Sequence, residues 1–592
     1  MRHPWLPSAA VLATVSCFAG CSAILGDFNT GPASDAGGPD GAPQDSPSIV
    51  DSPAIDSPAI DSPMSVDSGP GDTGSEDAPT SEDAPATGGD AGMDATATDA
   101  GEDASVTDSG EDTGPADAGE DTAVDPCVTP PTSVVYVNAA TGSDTNTGGS
   151  PNCPFQTITA ALAASAGPSY INAKISVAAG TYAAGETFPL VVNHGRSLIG
   201  AGAGTTTIQG SSAAYNTSNT KSFLDPGTGY VPTYITILAG DPPSAPGLVP
   251  ILISGFSVLP AASVSAPTTG YLGLVCIQGN GPNEPATLPL PQANLVVQET
   301  TFGPNFDVGL TTGSQPVQET ACNLRVTTST FTGNNVGITT GRCGTANPAG
   351  SWASGQIGDG VDGDQNLFSA NGIDLYGNGC GSAQSINMNS FESGYRGVVL
   401  NSNPNQYFEI LENSFLGGST SFPMGIGVQT SGAAQINKLN GNSFTGIAES
   451  AAADSSAGGV GTTGYAVMVA QVLQAHSNFI YGNDNGLELI AVPASTFDFS
   501  ADGVTTNANQ IYCNSKPQGL STVGYDVILD YTSSNPANLA GNYFDRAPPS
   551  IGTSLTASAN GTDVVVSASG DVATLTGAMK IGTVVCPGNR VE

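Results

Sequence analysis

The sequence predicts an all-β solenoid, a parallel β-helix with a short capping helix at its amino end, held behind a leader and a disordered tether. Three observations predict it. A loose motif, Asn-x-Phe followed some residues later by Gly-Ile or Gly-Val, recurs around Phe331, Phe368, Phe391, Phe415, Phe444, Phe479 and Phe544. Phe368, Phe391 and Phe415 follow one another at 23 and 24 residues, about one coil of such a solenoid, and longer gaps leave room for loop insertions. Glycine at 77 residues and aromatics at 6% fit turns and short strands rather than a helical enzyme. The charge is also uneven: residues 27–125 hold no Lys or Arg, whereas Lys174 through Arg590 punctuate the rest, so two regimes meet near Cys127.

Residues 1–20 read as a lipoprotein signal peptide. Arg2 precedes an apolar run at 6–18, the length of a signal core and too short to span a bilayer. Phe18-Ala19-Gly20-Cys21 resembles the lipobox of bacterial lipoproteins, with Phe18 where leucine is usual. The resemblance implies that the Cys21 thiol receives a diacylglycerol and becomes the first residue. An ordinary cleaved leader, with Cys21 a spare thiol, is the plainer alternative. Ser22 resembles the sorting preference for the outer membrane, on its periplasmic or its cell-surface face. No later stretch is long and apolar enough to cross a bilayer, so the lipid would be the anchor and the membrane the first partner.

Residues 21–126 form the acidic tether, built of Asp, Ala, Ser, Pro, Gly and Thr, with Asp-Ser-Pro-Ala-Ile at 51–55 and again at 56–60. So little apolar surface cannot offset the entropy of ordering the backbone, and disorder is expected. Like charges and scattered prolines extend such a chain, which suits a spacer. A calcium-binding repeat is the rival reading, but the aspartates lack regular ligand-and-glycine spacing.

Residues 127–592 are the folded domain. Ser133 to Val137 is a β-branched run that reads as a strand, and residues 141–149 are turn formers. Phe155, Ile158 and Leu162 share helical spacing, predicting a short amphipathic helix over one end of the core. The block at 133–210 resembles the start of the DUF1565 family of secreted β-helix proteins. The matching pieces are Tyr136-Val137-Asn138, Gly142-Ser143-Asp144, Pro154-Phe155-Gln156-Thr157-Ile158, Gly180-Thr181-Tyr182 and Gly185-Glu186-Thr187-Phe188-Pro189-Leu190, in that order. The resemblance implies a right-handed, pectate-lyase-like β-helix and carries no established activity. The repeat itself argues for the same architecture. One coil cannot bury its apolar face alone, so coils must stack, with Phe and Ile in interior columns and asparagines in amide ladders at the turns. A β-sandwich also has recurring short strands, but no motif repeated per coil.

Apart from Cys17 and Cys21, eight cysteines remain: Cys127, Cys153, Cys276, Cys322, Cys343, Cys380, Cys513 and Cys586. An even number in an exported chain reads as up to four disulfides. Both ends of a solenoid need protection, which suggests Cys127–Cys153 and Cys513–Cys586. No CxxC pair is present to bind a metal.

The catalytic inventory is thin. A net charge of -40 excludes nucleic acid as a partner, since phosphate binding needs clustered cations. His194 and His476 lack a nucleophile elbow and read as structural. Polygalacturonase-like hydrolases need clustered aspartates followed by Gly-His-Gly and Arg-x-Lys, and here His194-Gly195-Arg196 precedes the acidic cluster. That cluster, Asp359, Asp362 and Asp364 in a glycine-rich loop, offers hard oxygen ligands for calcium, the one cofactor implied, although a solvated turn is the simpler reading. Arg396, one coil later, is a candidate base or carboxylate clamp for a lyase, with Asp362 beside it as the other catalytic candidate.

The leading functional expectation is a surface-exposed, lipid-anchored β-helix that binds glycan or another cell-surface partner without catalysis. The alternatives are a polysaccharide lyase or glycoside hydrolase on the same surface, and a purely structural or adhesive protein. Fold analogy does not choose among them. Metabolic labelling with a fatty-acid probe should mark the full chain, and Cys21→Ser should abolish the label; label retained on that variant would refute anchoring at this cysteine.

Overall fold

The computed structural model describes most of the chain from Cys127 onward. Residues 1–126 and several longer connections, among them 214–233, 279–293, 341–354, 359–364 and 451–463, lie outside the described residues. The expected leader, Cys21 and the tether therefore fall outside them.

From Val134 to Lys580 the described chain is a parallel β-helix of three long sheets, here called A, B and C. Sheet A has 11 described strands, from Val134–Val137 to Ala475–His476; sheets B and C have 13 each. A coil contributes one strand to each in turn, as in Asn323–Thr327, Thr330–Thr332 and Val336–Thr340. The same three strands recur in the next coil, in parallel register: Val326 with Ile357, Phe331 with Phe368, Ile338 with Leu375. Antiparallel sandwich pairing is absent among the described strands.

Identical positions of successive coils stack on one another, so the interior consists of columns. In sheet B, Phe302, Phe331, Phe368, Phe391, Phe415 and Phe444 form one such column, with ring centroids 4.6–5.1 Å apart and rings nearly parallel. All six side chains are fully buried. The expected phenylalanine column is therefore present and begins one coil earlier, at Phe302. It also ends earlier. Asn478 directly precedes Phe479, without the intervening residue found elsewhere, so Ile480 pairs with Phe444 and takes the interior place. Phe479 is turned outward, where it meets Tyr481 and Tyr512.

A neighbouring column in sheet C is mostly glycine: Gly273, Gly309, Gly337, Gly397, Gly427 and Gly486. A Cβ on Gly397 would lie 2.6 Å from the Gly427 carbonyl and 3.0 Å from the Phe415 ring. At Gly397 the phenylalanine column thus leaves no room for a side chain.

The corner between sheets A and B carries the expected amide ladder. It runs through Asn366, Asn389, Asn413, Asn442, Asn478, Asn509 and Asn542, each Nδ2 donating to the next Oδ1 at 2.8–3.1 Å. The residues before several rungs, Met388, Glu412, Gly441, Ser477 and Gly541, take positive φ, which turns the chain sharply at the rung.

At the amino end the expected helix spans Ile158–Ala164 and buries Ile158, Ala161 and Leu162. Thr157 caps it, its Oγ1 accepting from the Ala160 amide, and the Glu186 carboxylate accepts from the amides of Ile158 and Thr159 at 2.8 Å each. Phe155 precedes the helix and bridges Val137 instead, so the helical spacing holds only from residue 158. Cys127 is bonded to Cys153 and Cys513 to Cys586, one bridge at each end of the solenoid. Cys276 is also disulfide-bonded. Cys322, Cys343 and Cys380 lie outside the described residues.

Asn413→Ala should lower stability by about 3 kcal/mol in a urea titration. It leaves the Ile386 and Leu411 carbonyls and the Asn389 amide without their partner in a buried corner. A loss below about 1 kcal/mol would show the ladder to be dispensable.

Candidate functional site

The acidic loop bearing Asp359, Asp362 and Asp364 lies outside the described residues. Arg396 is described and half-buried, at the start of a sheet C strand, Arg396–Ser402. Its ladder neighbours are Ile373 and Ile426, and burial pulls its guanidinium below the ordinary arginine range. The two histidines are far apart in the coil order. His194 is buried beside Arg196, whose Nε donates to the Ser165 carbonyl under the capping helix. His476 ends the last strand of sheet A and borders a cleft of about 450 Å³, with Glu412, Lys438, Gln474 and Asn507 on its walls.

From Leu487 to Leu489, and at the matching places of neighbouring strands, side chains in sheet C alternate between the core and the outer face. Leu487 and Leu489 are buried in the core, so Glu488 between them points outward. Its column on that face reads Val399, Gln429, Met468, Glu488, Ile528 and Val565. The adjacent column reads Ile373, Arg396, Ile426, Tyr465 and Asn485. Tyr465 packs against Tyr525, Ile528 and Val565 in an outer apolar cluster. Toward the amino end the same face is apolar, with Leu272, Val275, Val308, Val336, Tyr376 and Val399. Polar and aromatic groups are therefore gathered on one stretch of the sheet, from Arg396 to Asp530. Arg396 and Glu488 are three strands apart, roughly 14 Å across the strands, and Glu488 lies three residues beyond Asn485, the residue in register with Arg396. They share a face but do not reach one reacting atom.

Glu488 is the titratable group of most interest there. Burial first, and then the charge of exposed Asp530, raise its carboxyl to about 7; a hydrogen bond with Tyr465 opposes the rise. Its Oε2 has no hydrogen-bond partner among the described residues, and the same is true of Gln429 Oε1 and the Tyr525 hydroxyl. A carboxyl near neutrality can give or take a proton at physiological pH. Sequence reading did not single out Glu488. The signal was a lone acid inside the apolar run Gly486-Leu487-Glu488-Leu489-Ile490.

A second acidic group lies in the core near the carboxyl end. Asp526, Asp545 and Asp563 are buried, and one oxygen from each falls within 4.8 Å of the others. Cys513 and Cys586 lie beside Asp545, but their disulfide removes them as thiolate ligands.

Residues 140–408 match the family DUF1565, described as a protein of unknown function. The match extends the resemblance of residues 133–210 well into the repeat. No curated protein matches the chain. Among solved structures, the A-module of the mannuronan C-5 epimerase AlgE6 of Azotobacter vinelandii aligns at 14% identity. The alignment covers 72% of this chain and 94% of that one, with a TM-score of 0.27. At that score the likeness carries no functional inference.

A folded-state carboxyl raised from 4.5 to about 7 favours its neutral form. Below pH 4.5 the folded and unfolded chains are both protonated there, and no penalty arises. As pH rises from 4.5 toward 7 the unfolded chain ionises first, and stability falls by on the order of 3 kcal/mol before levelling off. Relative to wild type, Glu488→Gln should therefore gain stability across that window in denaturant titrations and stay level above it. A difference independent of pH would refute the raised carboxyl.

Proposed function

We propose that the chain is a lipid-anchored β-helix whose outer sheet C face binds an extended polysaccharide. The observation that carries this reading is the run of half-buried Arg396, Gln429 and Tyr465 across successive strands of one face, with Glu488 on the next strand. Strands repeat about every 4.8 Å, on the scale of one sugar ring, so a linear polymer lying along the axis would meet a new set of side chains at each ring. Tyr465 offers an apolar face and a hydroxyl, and the carboxyl, amide and guanidinium groups supply donors and acceptors for sugar hydroxyls. A net charge of -40 favours a neutral polymer over an anionic one. Lipid at Cys21 and an acidic spacer of about a hundred residues would hold such a face away from the outer membrane, within reach of cell-surface glycan.

One observation favours a second reading, a glycoside hydrolase. Glu488 near neutrality could protonate the departing glycosidic oxygen as the C1–O bond breaks, while the exposed carboxylate of Asp530 takes a proton from the attacking water.

The test is a panel of neutral and uronate polysaccharides against the full chain, read for binding and for new reducing ends. Binding of a neutral polymer, weakened at least tenfold by Tyr465→Ala and by Arg396→Ala, is the expected result. Binding unchanged in both variants would move the site off this face. New reducing ends that vanish in Glu488→Gln would replace the binding reading with the hydrolase.

A further inference from the structure

We propose that Asp526, Asp545 and Asp563 form a divalent-cation site, taking Ca²⁺, inside the last coils of the solenoid. Register places Asp526 and Asp563 side by side, flanked by the pairs Tyr525–Thr562 and Val527–Val564. Both occupy the sheet C column that is mostly glycine elsewhere, which is why they point inward and are 2% and 0% exposed. Asp545 follows the sheet B strand Tyr543–Phe544 and completes the group.

The hydrogen bonding is one-sided. Asp526 Oδ1 accepts from the Asn514 amide and from Asn514 Nδ2, at 3.1 and 2.9 Å. Asp563 Oδ2 accepts from the Ser550 amide and from Arg546, at 2.6 and 3.3 Å. Asp545 accepts from the Cys513 amide. The second oxygens, Asp526 Oδ2 and Asp563 Oδ1, are buried and have no hydrogen-bond partner among the described residues. Leaving two carboxylate oxygens bare in the core is costly, and such atoms call for a proton or a cation.

Size and charge favour the cation. Calcium takes oxygen ligands at about 2.3–2.6 Å, so ligands on opposite sides of one ion stand about 5 Å apart, which accommodates oxygens lying within 4.8 Å of one another. Three carboxylates against the Arg546 guanidinium leave two negative charges, the charge of one divalent ion. Burial, with Asp545 and Asp563 alongside, pushes the Asp526 carboxyl well above the usual range, and a bound ion would relieve that repulsion. With the Cys513–Cys586 bridge beside it, the ion would fasten the open end of the solenoid.

The experiment titrates Ca²⁺ into the chelator-treated full chain and follows the melting temperature. The expected result is a saturable rise of several degrees that is lost in Asp526→Asn and in Asp563→Asn. The triple variant Asp359→Asn, Asp362→Asn, Asp364→Asn, altered in the other acidic loop, should keep it. No rise in wild type, a rise surviving both core variants, or a rise lost in the triple variant would each overturn the site. If the core variants do not fold, Tb³⁺ emission excited through tyrosine decides with the wild type and the triple variant. The tether has no tyrosine or tryptophan and stays dark, whereas Tyr525 adjoins Asp526. Emission displaced by Ca²⁺ and retained in the triple variant supports the site; no emission, or its loss in that variant, refutes it.

Discussion

Every coil of this solenoid must turn sharply between sheets A and B, and the turn leaves amide and carbonyl groups inside the protein where water cannot reach them. Asparagine answers that constraint with one side chain. The Oδ1 of Asn413 accepts from the backbone amide and the Nδ2 of Asn389, while its own Nδ2 donates to the Ile386 carbonyl. The same residue thus closes its own corner and fastens it to the coil below. Because each rung uses the next, register is transmitted along seven consecutive asparagines, and the sheets inherit it.

The phenylalanine and glycine columns follow from that register. Rings stacked at 4.6–5.1 Å need coils that rise by the strand spacing without slipping, and they need empty space on the adjoining column. Beyond Phe444 the interior places of sheet B are taken by Ile480 and Ile511. Asp526 and Asp563 stand in the column just beyond that point. Asp374 breaks the pattern earlier; it is fully buried and held by Asn371, with Gly394 leaving room for its carboxyl. Buried acids therefore occur where the packing pattern permits a side chain, and function can accumulate there without disturbing the rest of the helix.

The outer face of sheet C obeys a looser rule. Alternation fixes which residues point outward, but nothing in the core dictates what they are. The face passes from valine and leucine to Arg396, Tyr465 and Glu488 along one continuous sheet. The gathering of these groups on successive strands gives the fold a locally distinctive surface, while the aromatic trio Phe479, Tyr481 and Tyr512 marks the same end on sheet B.

The sequence by itself determined the coil, because its cause is local: asparagine and phenylalanine recur wherever a turn and an interior ring are needed. The bridges at each end were legible for a similar reason, since Cys127 and Cys153 are 26 residues apart and Cys513 and Cys586 flank the final coils. The outward turn of Phe479 was not legible: it fills the place between Asn478 and the interior residue, so Ile480 faces inward instead. Nor were the acidic sites. Coils vary from 23 residues between Phe368 and Phe391 to 50 between Ile208 and Val258, so distance along the chain does not say which side chains stack. Only pairing between coils brings Glu488 to Tyr465, and Asp526 to Asp545 and Asp563, because register is set by the hydrogen-bonded corners and not by the length of the loops between them.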